Sequence, residues 1–278
     1  FDLRGEYAGQ WAAATAILHA AAPGTKGLVQ LGGESSGDIV VAGPAWQPDA
    51  QPAFRGLRAD TPVGWRRADL LGVGMETGRL HPAMAEGIVA VPVATVRAND
   101  GNVRLGGRVD LTGPQPVYRL DGRHRVLDGL RVTPEMAREL LSRVNPLLGQ
   151  MAEVSGRVSL EVSDLHVPLG AADDMPPARR ARMRGHGRID LRNVTVKPIG
   201  AMGTLARLAG RATGEALRER VRGAEFRLRD DGIEYDNLVL VLADTLDLRF
   251  QGTVRWDDSL DLAVSVPVRA ALLERLGV

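Results

Sequence analysis

Apolar and polar residues alternate along the last part of the chain. Between Leu246 and Trp256, the even positions hold Leu246, Leu248, Phe250, Val254 and Trp256. The odd positions hold Asp247, Arg249, Gln251 and Arg255. A period of two marks a strand, whose successive side chains point to opposite faces. Asp257 and Asp258 interrupt the pattern, and Leu260, Leu262, Val264 and Val266 resume it against Asp261, Ala263 and Ser265. The run from Glu225 to Val268 therefore predicts a β-meander with one apolar and one wet face.

Related patterns lie upstream. Val154, Val158, Leu160 and Val162 alternate with Arg157, Ser159 and Glu161. At Asp164-Leu165 the apolar phase slips by one residue, and it slips again within Ile189 to Val196. A slip that keeps the same face buried predicts a bulge or a short turn. Short β-type runs occur at Leu28–Leu31 and Asp38–Ala42, and in pieces from Arg66 to Leu130. Among these, Asn99-Asp100-Gly101 signals a tight turn between two strands. The pattern G-R-V/I-D/S-L begins at Gly107, Gly156 and Gly187, with a looser copy at Gly252. The starts are 49, 31 and 65 residues apart, which excludes a fixed-period solenoid and points to one strand type reused in a sheet.

Four segments read as helices. Gln10 to Ala22 is alanine-rich and stops at Pro23-Gly24. Thr133-Pro134-Glu135 supplies a capping hydroxyl, a first-turn proline and an acid. Behind it runs the stripe Met136, Leu140, Leu141, Val144, Leu147, Leu148 and Met151, with Pro146 predicting a kink. Ile199 to Val221 carries Met202, Leu205, Leu208, Leu217 and Val221 at helical spacing, and Arg269 to Leu276 closes the chain. Gly43 to Gly64, with four prolines, and Gly170 to Arg184 read as loops. The expected fold is α+β and β-dominated: a long curved antiparallel sheet with three to four amphipathic helices on or beside it. Residues 1–102 form an N-terminal β-rich part with the alanine-rich helix and the proline-rich loop. Residues 103–278 form a meander region with inserted helices, either separate from the first part or in one continuous sheet.

Composition narrows the function classes. The 278 residues carry a net charge of +1, and aromatics make up 4%, so neither phosphate neutralisation nor base stacking points to nucleic acid. The absence of cysteine excludes thiolate catalysis, disulfides and cysteine-ligated zinc. The five histidines are scattered without H-x-H or H-x-x-x-H spacing, so no metal and no cofactor is expected. No apolar run reaches the ~18–20 residues of a membrane span, and the first residues lack a signal-peptide layout. A start at Phe1 predicts a processed chain or a segment of a longer protein.

Two motifs carry candidate chemistry. Gly33-Glu34-Ser35-Ser36-Gly37 matches G-x-S-x-G, the nucleophile elbow of α/β-hydrolases, which would make the chain a serine esterase acting through Ser35. The residues after Gly37 are Asp-Ile-Val-Val-Ala, a β-branched run rather than a helix, so a turn built from glycine and serine is the preferred reading. Gly72-Val73-Gly74-Met75-Glu76-Thr77-Gly78 misses the dinucleotide spacing by one residue and lacks the strand–helix context. Asp230-Asp231 and Asp257-Asp258 read as turn residues. The arginines from Arg179 to Arg184 read as a solvated loop, with phosphate or lipid headgroups as the alternative contact.

An amphipathic helix leading into G-R-V-S-L-E-V, then G-R-I-D-L-R-N-V-T-V and the final meander, resembles the C-terminal region of AsmA-like cell-envelope proteins. The resemblance covers roughly residues 103–268. At Gly252-Thr253-Val254 the second glycine of the family pattern is replaced. The resemblance implies a non-enzymatic envelope domain, a segment of a larger protein, with an apolar sheet face serving bridge-like lipid transport or envelope assembly. It implies periplasmic or envelope localisation, anchored by a segment outside this chain, with phospholipid or another acyl-chain ligand and other envelope proteins as partners. The groove-facing candidates are Val158, Leu160, Val162, Ile189, Leu191, Leu246, Leu248, Phe250, Val254, Leu262 and Val264. A purely structural assembly module is the remaining alternative.

Overall fold

A computed structural model describes residues 1–11, 29–43, 56–113, 115–141, 151–169, 182–198, 217–242, 246–257 and 259–265. The first strands are β1 (Asp2–Gln10), β2 (Val29–Gly32), β3 (Glu34–Ala42), β4 (Arg58–Asp60), β5 (Val63–Trp65) and β6 (Arg67–Leu70). Next come β7 (Val73–Met75), β8 (Gly78–Leu80), β9 (Ala83–Ala85), β10 (Ile88–Ala98), β11 (Gly101–Asp110) and β12 (Val117–Arg131). The strands β13 (Met151–Pro168), β14 (Arg184–Pro198), β15 (Leu217–Leu228), β16 (Gly232–Leu242), β17 (Leu246–Arg255) and β18 (Leu260–Ser265) complete the set.

Among the described residues sixteen strands make one antiparallel sheet, thirteen of them in the order β1-β3-β4-β9-β10, then β11 to β18 in sequence. The sheet forks at β10. One stretch of its edge takes β9 at Ile88–Ala90, and Ala98 at its end takes β7, which leads on to β6 and β2. The strands β5 and β8 form a separate pair. The β10–β11 hairpin joins residues on either side of position 102, so one sheet runs across that boundary.

This architecture corrects the expected α+β class. The described residues are nearly all strand, with one short helix. The helix α1 (Pro134–Met136) starts as the sequence predicts, with the Thr133 hydroxyl accepting from the Met136 N–H at 3.2 Å. Among the described residues it continues as a π-turn over Ala137–Leu141, and Met151, the last residue of the predicted stripe, opens β13; Val144, Pro146, Leu147 and Leu148 lie outside the described residues. The predicted Ile199–Val221 helix fails at its end, because Leu217–Val221 lies in β15. Leu217 and Val221 are at helical spacing, yet Leu217-Arg218-Glu219-Arg220-Val221-Arg222 also alternates. Pairing on both sides with β14 and β16 overrides arginine's helix propensity. The remainder of that segment, residues 12–22 of the alanine-rich helix, and the Arg269–Leu276 helix lie outside the described residues. Gln10 itself belongs to β1, and the expected Gly43–Gly64 loop contains β4.

The bends in the sheet sit where the apolar phase slips. Asp164 (φ 51°) and Asn193 (φ 51°) both adopt left-handed backbone, each beside a register shift of its strand. Asn99 (φ 42°) and Asp100 (φ 58°) form the two-residue β10–β11 turn with both φ values positive, the type I′ geometry that matches strand twist. The recurrent G-R-V/I-D/S-L pattern has a structural meaning at Gly156 (φ 134°) and Gly252 (φ 136°). At Gly252 an added Cβ would lie 2.0 Å from the Asp261 carbonyl oxygen, so only glycine fits.

Among the described residues an apolar cluster lines one face of this sheet. Val96, Val103, Leu127, Leu160, Ile189 and Ala224 stand directly opposite one another in turn across β10 to β15. Beside this row, Leu130, Val158 and Leu191 form a second, at 0%, 0% and 3% exposure. Met136 and Leu141 of the helical turn belong to the same cluster. The β6–β7 turn seats that helix: at Gly72 (φ 73°) an added Cβ would come within 2.5 Å of the Met136 nitrogen.

Candidate functional site

The strand register brings together an apolar band that no short stretch of sequence shows. Leu3 is directly opposite Val41, Val41 opposite Ala59, and Ala59 opposite Met84. Met84 is opposite Val89, Val89 opposite Val109, Val109 opposite Tyr118, and Tyr118 opposite Val167. Directly opposed residues share a face, so these side chains line up across eight strands. At the inter-strand spacing of a sheet, the row is about 33 Å long.

The band belongs to the core face but is not sealed. Val103, Leu105, Gly107 and Val109 lie two apart along β11, so Val109 shares the face of buried Val103. Val41, Ala59, Met84, Val89, Val109, Tyr118 and Val167 are each half-buried, and Leu3 at the end is 56% exposed. Tyr118 contributes its ring, because its hydroxyl donates to the Gly106 carbonyl at 2.6 Å and burial pushes the phenol pKa up. Next to the band on the core side stand Ile39, Val91, Leu120 and Leu165. The row itself carries no charge.

The opposite face is charged across β12 to β15, with an ion pair between strands from Arg125 to Glu161, and with Arg188 paired to Asp190 of its own strand. Arg125, Glu161, Arg188 and Glu225 alternate in sign across four strands. Arg125 donates to Glu161 at 2.8 and 3.1 Å, and Arg123 donates from its Nε at 2.9 Å. These bonds hold the Glu161 carboxyl below its usual range. A hollow on this face is bordered by Arg227, Glu234, Arg229 and Asp230. Several of its charges are paired, Arg227 and Arg229 with Glu234, the latter at 2.9 Å, and Arg184 with Asp230.

The sequence-predicted groove residues whose side chains are described occupy the same face as the band, mostly deeper. Val158, Val162, Ile189, Leu191, Phe250 and Val254 are buried. Leu160 and Leu262 are partly buried against the core, and Val264 on the last strand is 43% exposed. Leu246 and Leu248 lie in β17 opposite Leu242 and Leu240, and their side chains lie outside the described residues. None of the open band residues stands out in the sequence. They come one from each strand, and only the completed register places them in a row.

Ser35 sits inside β3, neither in a turn nor at a strand-to-helix elbow. It is 7% exposed. Its Oγ lies 2.9 Å from the Tyr7 hydroxyl and accepts the Gly64 N–H at 3.2 Å. Tyr7 in turn donates to the Pro62 carbonyl and Trp11 Nε1 to the Gly64 carbonyl, so this serine knits β1, β3 and β5 together. Among the described residues no group of three histidine or acidic side chains could hold a metal ion, and no helix is long and apolar enough to cross a membrane. No protein-family model matches the chain, nor does a curated protein or a solved structure.

Proposed function

We propose that the chain is a lipid-handling β-sheet domain of the cell envelope, whose uncharged band cradles acyl chains. The observation that carries this reading is the uncharged, half-open row from Leu3 to Val167 on a core face that is buried further along, at Val158, Leu191 and Phe250. Its length of about 33 Å is roughly twice the depth of one hydrocarbon leaflet, so an extended acyl chain fits within it. A contiguous apolar strip left half-open to water favours a ligand or partner that covers it. The strand pattern that resembles AsmA-like proteins supports the same function and an envelope location. No step of this reading uses a catalytic residue.

Lipids extracted from the purified, folded protein and identified by mass spectrometry test the proposal. Acyl lipids at a fixed stoichiometry, lost in Val89→Asp and Val109→Asp, are the expected result. A protein free of lipid, or one whose lipid content those substitutions leave unchanged, overturns it.

A further inference from the structure

From the geometry of β1 we infer that the chain pairs edge to edge with a second copy of itself. Among the described residues β1 stands at the end of the sheet and only β3 pairs with it. Phe1 and Gly43 exchange hydrogen bonds at 2.7 and 3.0 Å, and the Trp11 N–H donates to the Gly33 carbonyl at 2.9 Å. The odd-numbered residues therefore bond to β3. By the alternation of an antiparallel ladder, the amides and carbonyls of Asp2, Arg4, Glu6, Ala8 and Gln10 point to the free edge. Natural edges are shortened, bulged, or guarded by proline or by charged side chains, lysine above all. This one has nine residues in unbroken register with β3 and no proline, and its exposed charges, Asp2, Arg4 and Glu6, are of both signs, so they repel a strand of one charge but can match a second copy of β1.

The charges on β1 select the occupant. Glu6 stands directly opposite Asp38, and among the described residues neither is in an ion pair. Two acids facing each other across a ladder are unfavourable without a cation beside them. An antiparallel second copy with its two-fold axis at Gly5 puts Arg4 of each chain opposite Glu6 of the other. It also puts Asp2 opposite Ala8, Leu3 opposite Tyr7 and Phe1 opposite Gly9. The last pairing repeats a device within the chain, where the Phe226 ring covers Gly187 and the Trp65 ring covers Gly78. The neighbouring even registers are excluded by charge. An axis at Arg4 opposes the two arginines and sets Asp2 against Glu6, and an axis at Glu6 opposes the two glutamates.

In the favoured register the outward amides and carbonyls form about eight backbone hydrogen bonds. Both core faces lie on the same side, so the apolar bands of the two copies meet at Leu3 and Tyr7. The association itself does not depend on what occupies the band.

Sedimentation equilibrium of the 278-residue chain, carrying any tag at its C-terminal end, reads the result. A concentration-dependent dimer is expected. Arg4→Glu or Glu6→Arg alone weakens it by about tenfold or more, since symmetry counts each reversed pair twice. The double variant Arg4→Glu/Glu6→Arg restores it to within about threefold. Ala8→Pro, which removes an edge-facing amide and leaves the β3 bonds in place, also weakens it. A monomer at every concentration overturns the inference. So does a dimer indifferent to the single reversals, or a double variant no tighter than the singles. All three charge variants alter exposed side chains, so the series remains decisive if Ala8→Pro does not fold.

Discussion

Leu191→Ala and Val109→Ala separate the sealed part of the apolar face from its open band. Leu191 is 3% exposed and stands opposite Val158, which is fully buried. Removing three carbons there forfeits about 2.4 kcal/mol of transfer free energy, at ~0.8 kcal/mol per methylene. The cavity left in a close-packed ladder adds to this, and the expected cost is about 3–4 kcal/mol. Val109 has the same chemistry and shares the face, but it is half-buried. Losing two methyls that solvent already reaches in part costs about 1 kcal/mol or less. Urea denaturation followed by far-ultraviolet circular dichroism measures both, with the midpoints compared at unchanged m. Equal shifts for the two variants refute the division into core and band. Saturating phospholipid sharpens the comparison. A ligand that binds only the folded chain raises stability by RT ln(1 + [L]/Kd). That increment is expected to survive in Leu191→Ala and to vanish in Val109→Asp.

Three further outcomes rest on the same geometry. Gly72→Ala forces a Cβ to 2.5 Å from the Met136 nitrogen at a φ of 73°, so it should lower stability by more than about 2 kcal/mol and loosen the helical turn, read as faster amide exchange at Ala137. Thr133→Ala removes the cap hydroxyl that binds the Met136 N–H and should cost about 1 kcal/mol, measured by the same denaturation. The Glu161 carboxyl is held below its usual pKa by Arg125 and Arg123, so its contribution is fully present above the unfolded value of about 4.3 and is lost as pH falls through the folded value. Glu161→Gln should therefore be less stable than the parent at pH 7, with the gap narrowing as pH falls below the unfolded value, and a gap independent of pH would refute the clamp.

Much of the sheet is legible in the sequence because its signals are local. Strict alternation marks β13 and β17, the Asn99-Asp100-Gly101 triplet marks its hairpin, and the phase slips at Asp164 and Asn193 mark bulges. The Thr133-Pro134 cap is equally local, and the structure forms it. The extent of the helix behind it is not local. An apolar stripe from Met136 to Met151 suits a helix, yet Met151 pairs with Pro198 in the sheet, a contact set by a strand that arrives later in the chain. Strands β4 to β9 hold three or four residues each, too few to establish a period. The band is the least legible feature, since each of its residues looks ordinary within its own strand.

The two faces divide the work of fixing that register. Apolar alternation tolerates a shift of two residues, because such a shift keeps every side chain on its own face. The charged face does not tolerate it. Arg125, Glu161, Arg188 and Glu225 face one another in alternating sign, and sliding β13 by two would set Arg188 against Ser159 or Ser163 instead of Glu161. One such pair is worth well under 1 kcal/mol on an exposed surface. Repeated across successive strands, and combined with bulges that allow only one placement, the pairs select a single register from those the apolar pattern permits. The open band depends on that selection. Its members come from strands as distant in sequence as β1 and β13, and a shift of two anywhere between them would set Val89 or Val109 against a different row and break the strip. In this fold the wet face therefore determines whether the apolar face is continuous.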